Sequence, residues 1–216
     1  MNSGAVEAAW ARLVESNLRY FDGPLLSVVS LGPASAEHPS NEIVVRRDRF
    51  SRLAVQPAVM TGVRILSVTA VLIASDVSGV RHVMLGKRGA GTRIYDGMWE
   101  LGPSGGMHEP PAAVETLDEG AVFSHLADEV SEEVGLTIEH GTPVCVVRDH
   151  FAMSDDIVFV CDVGRLEGVR EKTGPANWEY SETTWVSLGE VGAFEHAHER
   201  EIIAPTRGIF RAMGWV

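Results

Sequence analysis

Apolar runs bounded by turn-forming residues dominate the chain beyond residue 60 and predict β-strands there. Asp76-Val-Ser-Gly79 separates the first two runs, which therefore predict a β-hairpin. The predicted strands span residues 65–74, 81–85, 144–148, 157–163 and 184–187. A final helix is expected at residues 201–213, interrupted by Pro205 and Gly208. Because helical segments lie between and after the strands, we expect an α/β fold with a mixed sheet between helices.

One helix in this region has a recognisable beginning and end. Its apolar stripe has the spacing of a helix face that packs on a core, and consists of Phe123, Leu126, Ala127, Val130 and Val134. Thr116-Leu-Asp-Glu119 has the form of a capping box, which predicts Thr116 as the N-cap residue. Gly135 is the residue type that most often ends a helix in the left-handed conformation. The sequence therefore predicts a helix that begins after Thr116 and ends before Gly135.

The first 60 residues carry a shorter and less regular pattern. A helix is predicted around residues 6–14, and strand-like runs follow at residues 25–31 and 42–50. These elements are too few to form an independent core. We therefore divide the chain into a small N-terminal β-rich extension, residues 1–60, and a main domain, residues 61–216.

The formal net charge of the chain is −12 and its pI is near 5.1. This charge argues against a protein that binds nucleic acid or a membrane surface by neutralising phosphates. No segment approaches the roughly 20 apolar residues of a membrane span, and the N-terminus lacks the features of a signal peptide. Cys145 and Cys161 lie in apolar runs, so we expect both to be reduced. We expect a cytoplasmic protein whose partner is a small molecule.

Three carboxylates, those of Glu129, Glu132 and Glu133, lie on one side of the predicted helix, next to its apolar stripe. Like charges at this spacing repel one another unless a cation lies between them. Carboxylate oxygens are ligands that suit Mg²⁺ and Mn²⁺. The cluster is therefore either a solvated acidic face, which is common on surface helices, or a divalent-metal site.

Residues 129–136, Glu-Val-Ser-Glu-Glu-Val-Gly-Leu, together with the glycine loop at residues 102–106, resemble the Nudix hydrolase family. The family's box reads G-x5-E-x7-R-E-U-x-E-E-x-G-U, where U is aliphatic, and residues 129–136 match its second half at every specified place. A proline-rich insertion follows the glycine loop, and Asp128 replaces the Arg that orients a catalytic carboxylate in the family. The resemblance implies a Nudix-type α/β/α sandwich and a Mg²⁺ site. Its catalytic metal ligands would be Glu129, Glu132 and Glu133, joined by the carbonyl of Gly106.

The N-terminal extension adds a narrower resemblance. Trp10, Asn17 and Tyr20-Phe-Asp-Gly23 precede an apolar strand as they do in eukaryotic UDP-glucose diphosphatases of the Nudix family. The lengthened glycine loop of those enzymes is similar to Gly105-Gly-Met-His-Glu-Pro110. The resemblance implies Mg²⁺-dependent hydrolysis of UDP-glucose to UMP and glucose 1-phosphate. The alternatives are an ADP-ribose or other nucleotide pyrophosphatase, an isopentenyl diphosphate isomerase that uses a catalytic cysteine, and a non-catalytic nucleotide-sensing module.

Charged residues outside the helix are candidates for the remaining roles. Lys87 and Arg88 at the end of a strand, and Arg46 and Arg47 in an arginine-rich run, could contact a diphosphate. A solvated turn for the first pair, and a surface or homodimer contact for the second, are the alternatives. The general base stays open among Asp155, Asp156, Glu179 and Glu182.

Overall fold

The computed structural model describes residues 3–32, 34–35, 38–39 and 42–216. The chain divides into two compact units. The first comprises Met1–Ser67, Gly106–Glu115 and Met153–Asp155, and the second comprises Val68–Gly105, Thr116–Ala152 and Asp156–Val216. Within the described ranges, every helix is too short or too polar to cross a membrane. The sequence-based domain boundary at residue 60 stays a prediction.

An antiparallel strand pair and two helices make up most of the described part of the first unit. Its elements are α1 (Ser3–Ser16), β1 (Pro24–Leu31), β2 (Ala34–Ser35), β3 (His38–Pro39), β4 (Ile43–Arg49) and α2 (Phe50–Ala54). Strands β1 and β4 pair from Pro24↔Arg49 to Leu31↔Ile43, and the register shifts once, between Val28 and Ser30 of β1. The rings of Trp10, Tyr20 and Phe50 lie about 6 Å apart. This aromatic cluster fixes α1 against α2 and explains the apolar positions at the N-terminus.

A sheet with helices forms the second unit. Its elements are β5 (Ile65–Ser75), β6 (Arg81–Arg88), β7 (Trp99–Glu100), β8 (Ser104–Gly106), α3 (Glu119–Val134), β9 (Thr142–Asp149), β10 (Ser154–Arg165), α4 (Leu166–Arg170), β11 (Tyr180–Ser187), α5 (Val191–Ala197) and α6 (Ala204–Ala212). Three of them, β5, β8 and β10, begin or end in the first unit. Strand β5 pairs with β6, β8 and β10, and β6 also pairs with β7 and β11. Residues 66–74 of β5 are buried without interruption, as expected for a strand covered on both faces.

The predicted hairpin is confirmed. Strands β5 and β6 are antiparallel, with Ile73 opposite Val83. In the turn, Asp76 Oδ1 accepts hydrogen bonds from the backbone N–H groups of Ser78 at 2.8 Å and Val80 at 2.9 Å. An Asp that binds the backbone two residues ahead is a common way to close such a turn.

Helix α3 begins later than the sequence predicts. Asp118, rather than Thr116, is the N-cap residue, and its Oδ1 accepts a hydrogen bond from the backbone N–H of Ala121 at 2.8 Å. Aspartate is a better N-cap than threonine, because its charge also interacts favourably with the positive end of the helix dipole. Gly135 ends the helix as predicted, in the left-handed conformation with φ of +72°.

Helix α6 runs through both Pro205 and Gly208 without interruption, contrary to the sequence prediction. Pro205 is the second residue of the helix, a position whose N–H group has no partner within the helix and is therefore not needed. Ile209 and Phe210 of this helix pack in the core with Trp99 and Leu101. The proline thus marks the start of the helix rather than a break in it.

We predict that Asp118→Ala destabilises the protein by about 1 kcal/mol, because the N–H of Ala121 loses its acceptor. Thr116→Ala, the matched control, should change the free energy of unfolding by less than about 0.5 kcal/mol. Urea unfolding of both variants measures the difference. A larger loss of unfolding free energy in Thr116→Ala than in Asp118→Ala would show that Thr116 is the N-cap residue, as the sequence pattern predicts.

Candidate active site

Helix α3 places its three glutamates at three different depths. Glu133 lies in the buried stripe with only 3% of its surface exposed, Glu129 is partly buried, and Glu132 is exposed. Glu129 and Glu133 are one helical turn apart, so their side chains meet, and they share a hydrogen bond. Oxygen Oε1 of Glu133 is buried and has no hydrogen-bond partner within the described structure. A buried carboxylate oxygen without a partner is costly and calls for a ligand.

The surroundings of both carboxylates favour their protonated forms in the metal-free protein. Burial, followed by the negative charges of Glu179, Glu100 and Glu129, raises the pKa of Glu133 to about 10. Burial, followed by the charge of Glu179, raises the pKa of Glu129 to about 7. The positive charge that opposes the rise at Glu133 comes from Arg88. Burial and the neighbouring negative charges therefore favour the protonated form of each carboxyl group, more strongly at Glu133 than at Glu129.

The glycine loop leaves room for one of these carboxylates. A Cβ atom at Gly105 would lie 2.1 Å from the carboxyl carbon of Glu129, so any other residue would displace that side chain. His125, one turn earlier on α3, contacts Glu129 with Nε2 at 3.3 Å from Oε1. A Cβ atom at Gly106 would instead meet Ile65 Cδ1 at 2.4 Å. Both glycines of the loop are thus required by packing, and the metal-ligand role of the Gly106 carbonyl stays a prediction.

A second buried network lies close to the helix carboxylates. Oxygen Oε1 of Glu100 accepts hydrogen bonds from Arg88 Nη1 at 2.6 Å and from the Tyr180 hydroxyl at 3.1 Å. Burial raises the pKa of Glu100, and the Arg88 guanidinium opposes that rise. Burial lowers the pKa of Arg88, but the charge of Glu100 and its hydrogen bond to Arg88 act in the opposite direction, and the net effect is a raised pKa. Arg88 is thus a largely buried cation that Glu100 fixes in place and that acts electrostatically on Glu133.

Glycines also make room for Tyr180 in this network. A Cβ atom at Gly86 would lie 2.3 Å from the Tyr180 ring, and one at Gly102 would lie 2.2 Å from its hydroxyl. Sequence analysis missed the roles of Glu100 and Tyr180. A Glu between Trp99 and Leu101 is the signal that could have identified a buried carboxylate there, since both neighbours are apolar.

The basic residues predicted to bind phosphate have partners within the protein. Lys87 and Arg88 are neighbours on β6, so their side chains point to opposite faces of the sheet. Lys87 Nζ lies 5.4 Å from the centre of the Trp99 ring, whereas Arg88 binds Glu100. A substrate contact by either residue stays a prediction, and Arg88 has a structural partner that the sequence did not reveal.

The arginine-rich run belongs to the first unit and is paired with acidic groups there. Arg46 Nε lies 3.1 Å from Asp48 Oδ2. Arg47 forms an ion pair with Glu109 and donates to the carbonyl of Pro110 at 2.7 Å. Through these bonds Arg47 holds the segment that follows the glycine loop. A diphosphate contact by Arg46 or Arg47 stays a prediction.

The four candidate general bases differ in their surroundings. Asp155 is completely buried and forms an ion pair with Arg64, Nε to Oδ2 at 3.2 Å, in the first unit. Glu182 is exposed on β11, opposite Lys87 on the neighbouring strand, and Asp156 is partly buried on β10. Glu179 is partly buried, and its charge acts on both Glu129 and Glu133. After burial, the charge of Glu179 is the largest cause of the raised pKa values of Glu129 and Glu133.

The cysteines do not form a reactive site. Cys145 packs against the core, and Cys161 is fully buried. Burial raises the pKa of both thiols, that of Cys161 to about 11. Neither side chain therefore has the low pKa and exposure of a catalytic cysteine, so nothing in their surroundings favours the isomerase alternative.

The carboxylates of α3 are oxygen donors of the kind that hard divalent cations prefer, but they are not arranged around a common point. Among the described residues, no group of three or more His, Cys, Asp or Glu side chains is arranged so that it could hold a metal ion. Glu129 and Glu133 are bonded to each other, and Glu132 is exposed. The unpartnered Oε1 of Glu133 and the space beside Gly105 are the features that suit a cation bound by oxygen.

Comparison with solved structures places the fold. A Nudix hydrolase from Alicyclobacillus acidocaldarius superposes with a TM-score of 0.53 and 14% sequence identity, covering 71% of this chain and 92% of that chain. A MutT protein from Methanosarcina mazei Go1 has 28% identity and a TM-score of 0.49, covering 69% of this chain and 91% of its own. No family model and no curated protein matches the chain significantly. The chain therefore has the mixed α/β fold of the Nudix hydrolases, which confirms the predicted fold class.

The raised pKa values predict how stability depends on pH. An unfolded Glu titrates near 4.5, whereas Glu129 and Glu133 hold their protons to about pH 7 and about pH 10 in the folded protein. The stability that these protons supply is complete below about pH 4.5 and is lost as the pH rises through the two folded values. In EDTA, wild type should therefore lose more stability between about pH 5 and pH 9 than Glu133→Gln.

Urea unfolding at several pH values within this range measures that difference. Glu119→Gln is the matched control, because Glu119 is exposed on the same helix and should leave the pH dependence unchanged. Parallel pH profiles for wild type and Glu133→Gln would show that Glu133 is ionised in the folded protein, contrary to the account of the cluster.

Proposed function

We propose that this protein is a divalent-metal-dependent Nudix hydrolase that cleaves the diphosphate linkage between a nucleoside and a second group. The observation that carries the proposal is the buried Glu133 carboxylate, which has an unpartnered oxygen and lies beside Glu129 on a Nudix fold. Burying one carboxylate beside a second, partly buried one destabilises a fold unless a ligand compensates for it. A purely structural helix would keep apolar residues at such positions.

The metal ligands in this proposal are Glu129, Glu132 and Glu133, with the carbonyl of Gly106 as a further ligand on the strength of the family resemblance. Mg²⁺ suits the oxygen donors best, and Mn²⁺ is the alternative. When bound, such a cation neutralises phosphate charge and lowers the pKa of water. Because the pKa values of Glu129 and Glu133 are raised, cation binding would compete with protons for these carboxylates.

Arg88 is the positioning residue in this proposal. Asp128 occupies the place at which the family's box has an arginine, so helix α3 lacks that cation. Arg88, held by Glu100, supplies a positive charge that acts on Glu133 from strand β6. The guanidinium would hold the carboxylate in one orientation, and Tyr180 would complete the support through Glu100.

Glu179 is the general base in this proposal, because its partly buried carboxylate acts on both helix glutamates. It would accept the proton of the attacking water. The resemblance of the N-terminal extension makes UDP-glucose the first candidate substrate, giving UMP and glucose 1-phosphate, and ADP-ribose is the second. Lys87, Arg46 and Arg47 would contact the diphosphate.

We predict that Glu133→Gln lowers turnover about a hundredfold or more, because it removes a metal ligand while keeping the shape of the side chain. The assay measures Mg²⁺-dependent phosphate release, coupled to a phosphatase, over nucleotide sugars, ADP-ribose, dinucleotides and nucleoside triphosphates. Glu119→Gln should keep full activity. Undiminished turnover by Glu133→Gln would remove the helix from the mechanism. Absence of turnover by wild type on every substrate would favour the nucleotide-sensing module.

We predict that removing the Arg88 charge lowers kcat rather than raising KM. The variant Arg88→Met with Glu100→Gln removes the pair without leaving a buried charge unpaired, and should lower kcat about tenfold or more while KM changes less than about threefold. Arg88→Lys, which keeps the charge, should restore part of kcat. Arg81→Met, at the exposed start of β6, is the control. A rise in KM alone would make Arg88 a substrate contact instead.

A further inference from the structure

An open cleft in the second unit lies apart from the residues that form the candidate active site. Its volume is about 870 Å³, within the range of pockets that bind small molecules. Six of its lining residues matter for the argument: Tyr95, Met98, Phe151 and Ile202, which are largely apolar, and Asp96 and Arg200, which are charged. The mixture of an apolar wall with a few charged groups is typical of ligand sites.

Phe151 presents an aromatic face to this cleft. The residue is 68% exposed, and its ring lies 5.2 Å from that of Tyr95 with a tilt of 40°. Single exposed apolar side chains are common on protein surfaces, so exposure alone carries little weight. The way in which this aromatic pair is held carries the argument.

Hydrogen bonds to one buried carboxylate, that of Asp149, fix the side chain of Tyr95 and the backbone of Phe151. The Tyr95 hydroxyl donates to Asp149 Oδ2 at 2.7 Å. The other oxygen, Oδ1, accepts from the backbone N–H groups of Phe151 at 2.7 Å and Ala152 at 3.0 Å. Tyr95 also adopts a φ of +59°, which a non-glycine residue keeps only where its surroundings enforce it. The Tyr95 ring and the backbone that carries Phe151 are therefore preorganised, which lowers the entropy lost when a ligand stacks there.

The loop that carries Tyr95 is anchored to the candidate active site. Arg88 Nε donates to the carbonyl of Ile94 at 3.2 Å, and the N–H of Arg88 donates to the carbonyl of Met98 at 2.9 Å. The residue that binds Glu100 therefore also sets the position of this wall of the cleft. A nucleotide substrate could therefore place its base in the cleft and its diphosphate near the carboxylates of α3.

The charged lining specifies the ligand further. Asp96 and Arg200 are exposed, and neither forms an ion pair with another described residue. Arg207, by contrast, is paired with Glu195 at 2.9 Å. A free carboxylate accepts hydrogen bonds from an exocyclic amino group, and a free guanidinium binds a phosphate. An aromatic wall, a carboxylate and a guanidinium together match a nucleotide whose base carries an amino group.

We propose that this cleft binds the base of the substrate's nucleotide by stacking on Phe151, and that Asp96 selects an amino-bearing base such as adenine over uracil. The inference rests on the proposed function for the identity of the ligand as a nucleotide. It distinguishes between the two candidate substrates, since it favours ADP-ribose over UDP-glucose.

Titration calorimetry with AMP and UMP, in EDTA, tests the cleft without hydrolysis. Wild type should bind AMP more tightly than UMP. Phe151→Ala should weaken AMP binding roughly tenfold, the loss expected for one base stacked on an aromatic ring. Phe21→Ala is the matched control, because Phe21 is similarly exposed, at 77%, but belongs to the first unit. Asp96→Ala should remove the preference for AMP.

Each contrary result overturns a definite part of the inference. AMP binding that is absent in wild type, or equal in Phe151→Ala and wild type, would exclude the cleft as the base site. Equal binding of AMP and UMP by wild type would exclude the selection by Asp96. Phosphate release is measured separately, so an inactive protein that binds AMP through Phe151 would contradict the proposed hydrolysis and leave the cleft assignment in place.

Discussion

The burial of the Glu133 carboxylate is the constraint on which the rest of the second unit depends. An ionised carboxylate in such a site is unstable, and the neighbouring charges of Glu129, Glu179 and Glu100 make it more so. Raised pKa values and the hydrogen bond between Glu129 and Glu133 are one way to meet this constraint. A divalent cation meets it in another way, because it replaces the protons and allows both groups to ionise.

Several features of the sequence serve this arrangement. Gly105 keeps the space that the Glu129 carboxylate occupies, while Gly86 and Gly102 keep the space that Tyr180 occupies. Asp118 and Gly135 fix the two ends of α3 and so fix which of its residues face the core. Arg88 then provides a cation from a different element. The fixed ends of α3, the glycines that leave space for larger side chains, and the ion pair of Arg88 with Glu100 together stabilise the acidic face of α3, whose carboxylates repel one another.

The sequence predicted the parts of the site that are local in the chain. Periodicity identified α3, its acidic residues and Gly135, and strand patterns identified the β5–β6 hairpin. The cap was placed two residues early because Thr116 and Asp118 are both suitable N-caps, and only the structure shows which one meets Ala121. The network of Arg88, Glu100 and Tyr180 joins residues separated by 12 and 80 positions, which no local pattern reveals.

The most direct test of the central claim is the anomalous diffraction of crystals grown with Mn²⁺. The account predicts a manganese peak within bonding distance of the carboxylates of Glu133 and Glu129, with their mutual hydrogen bond broken. A fully occupied manganese site elsewhere, with Glu129 and Glu133 still bonded to each other, would contradict it.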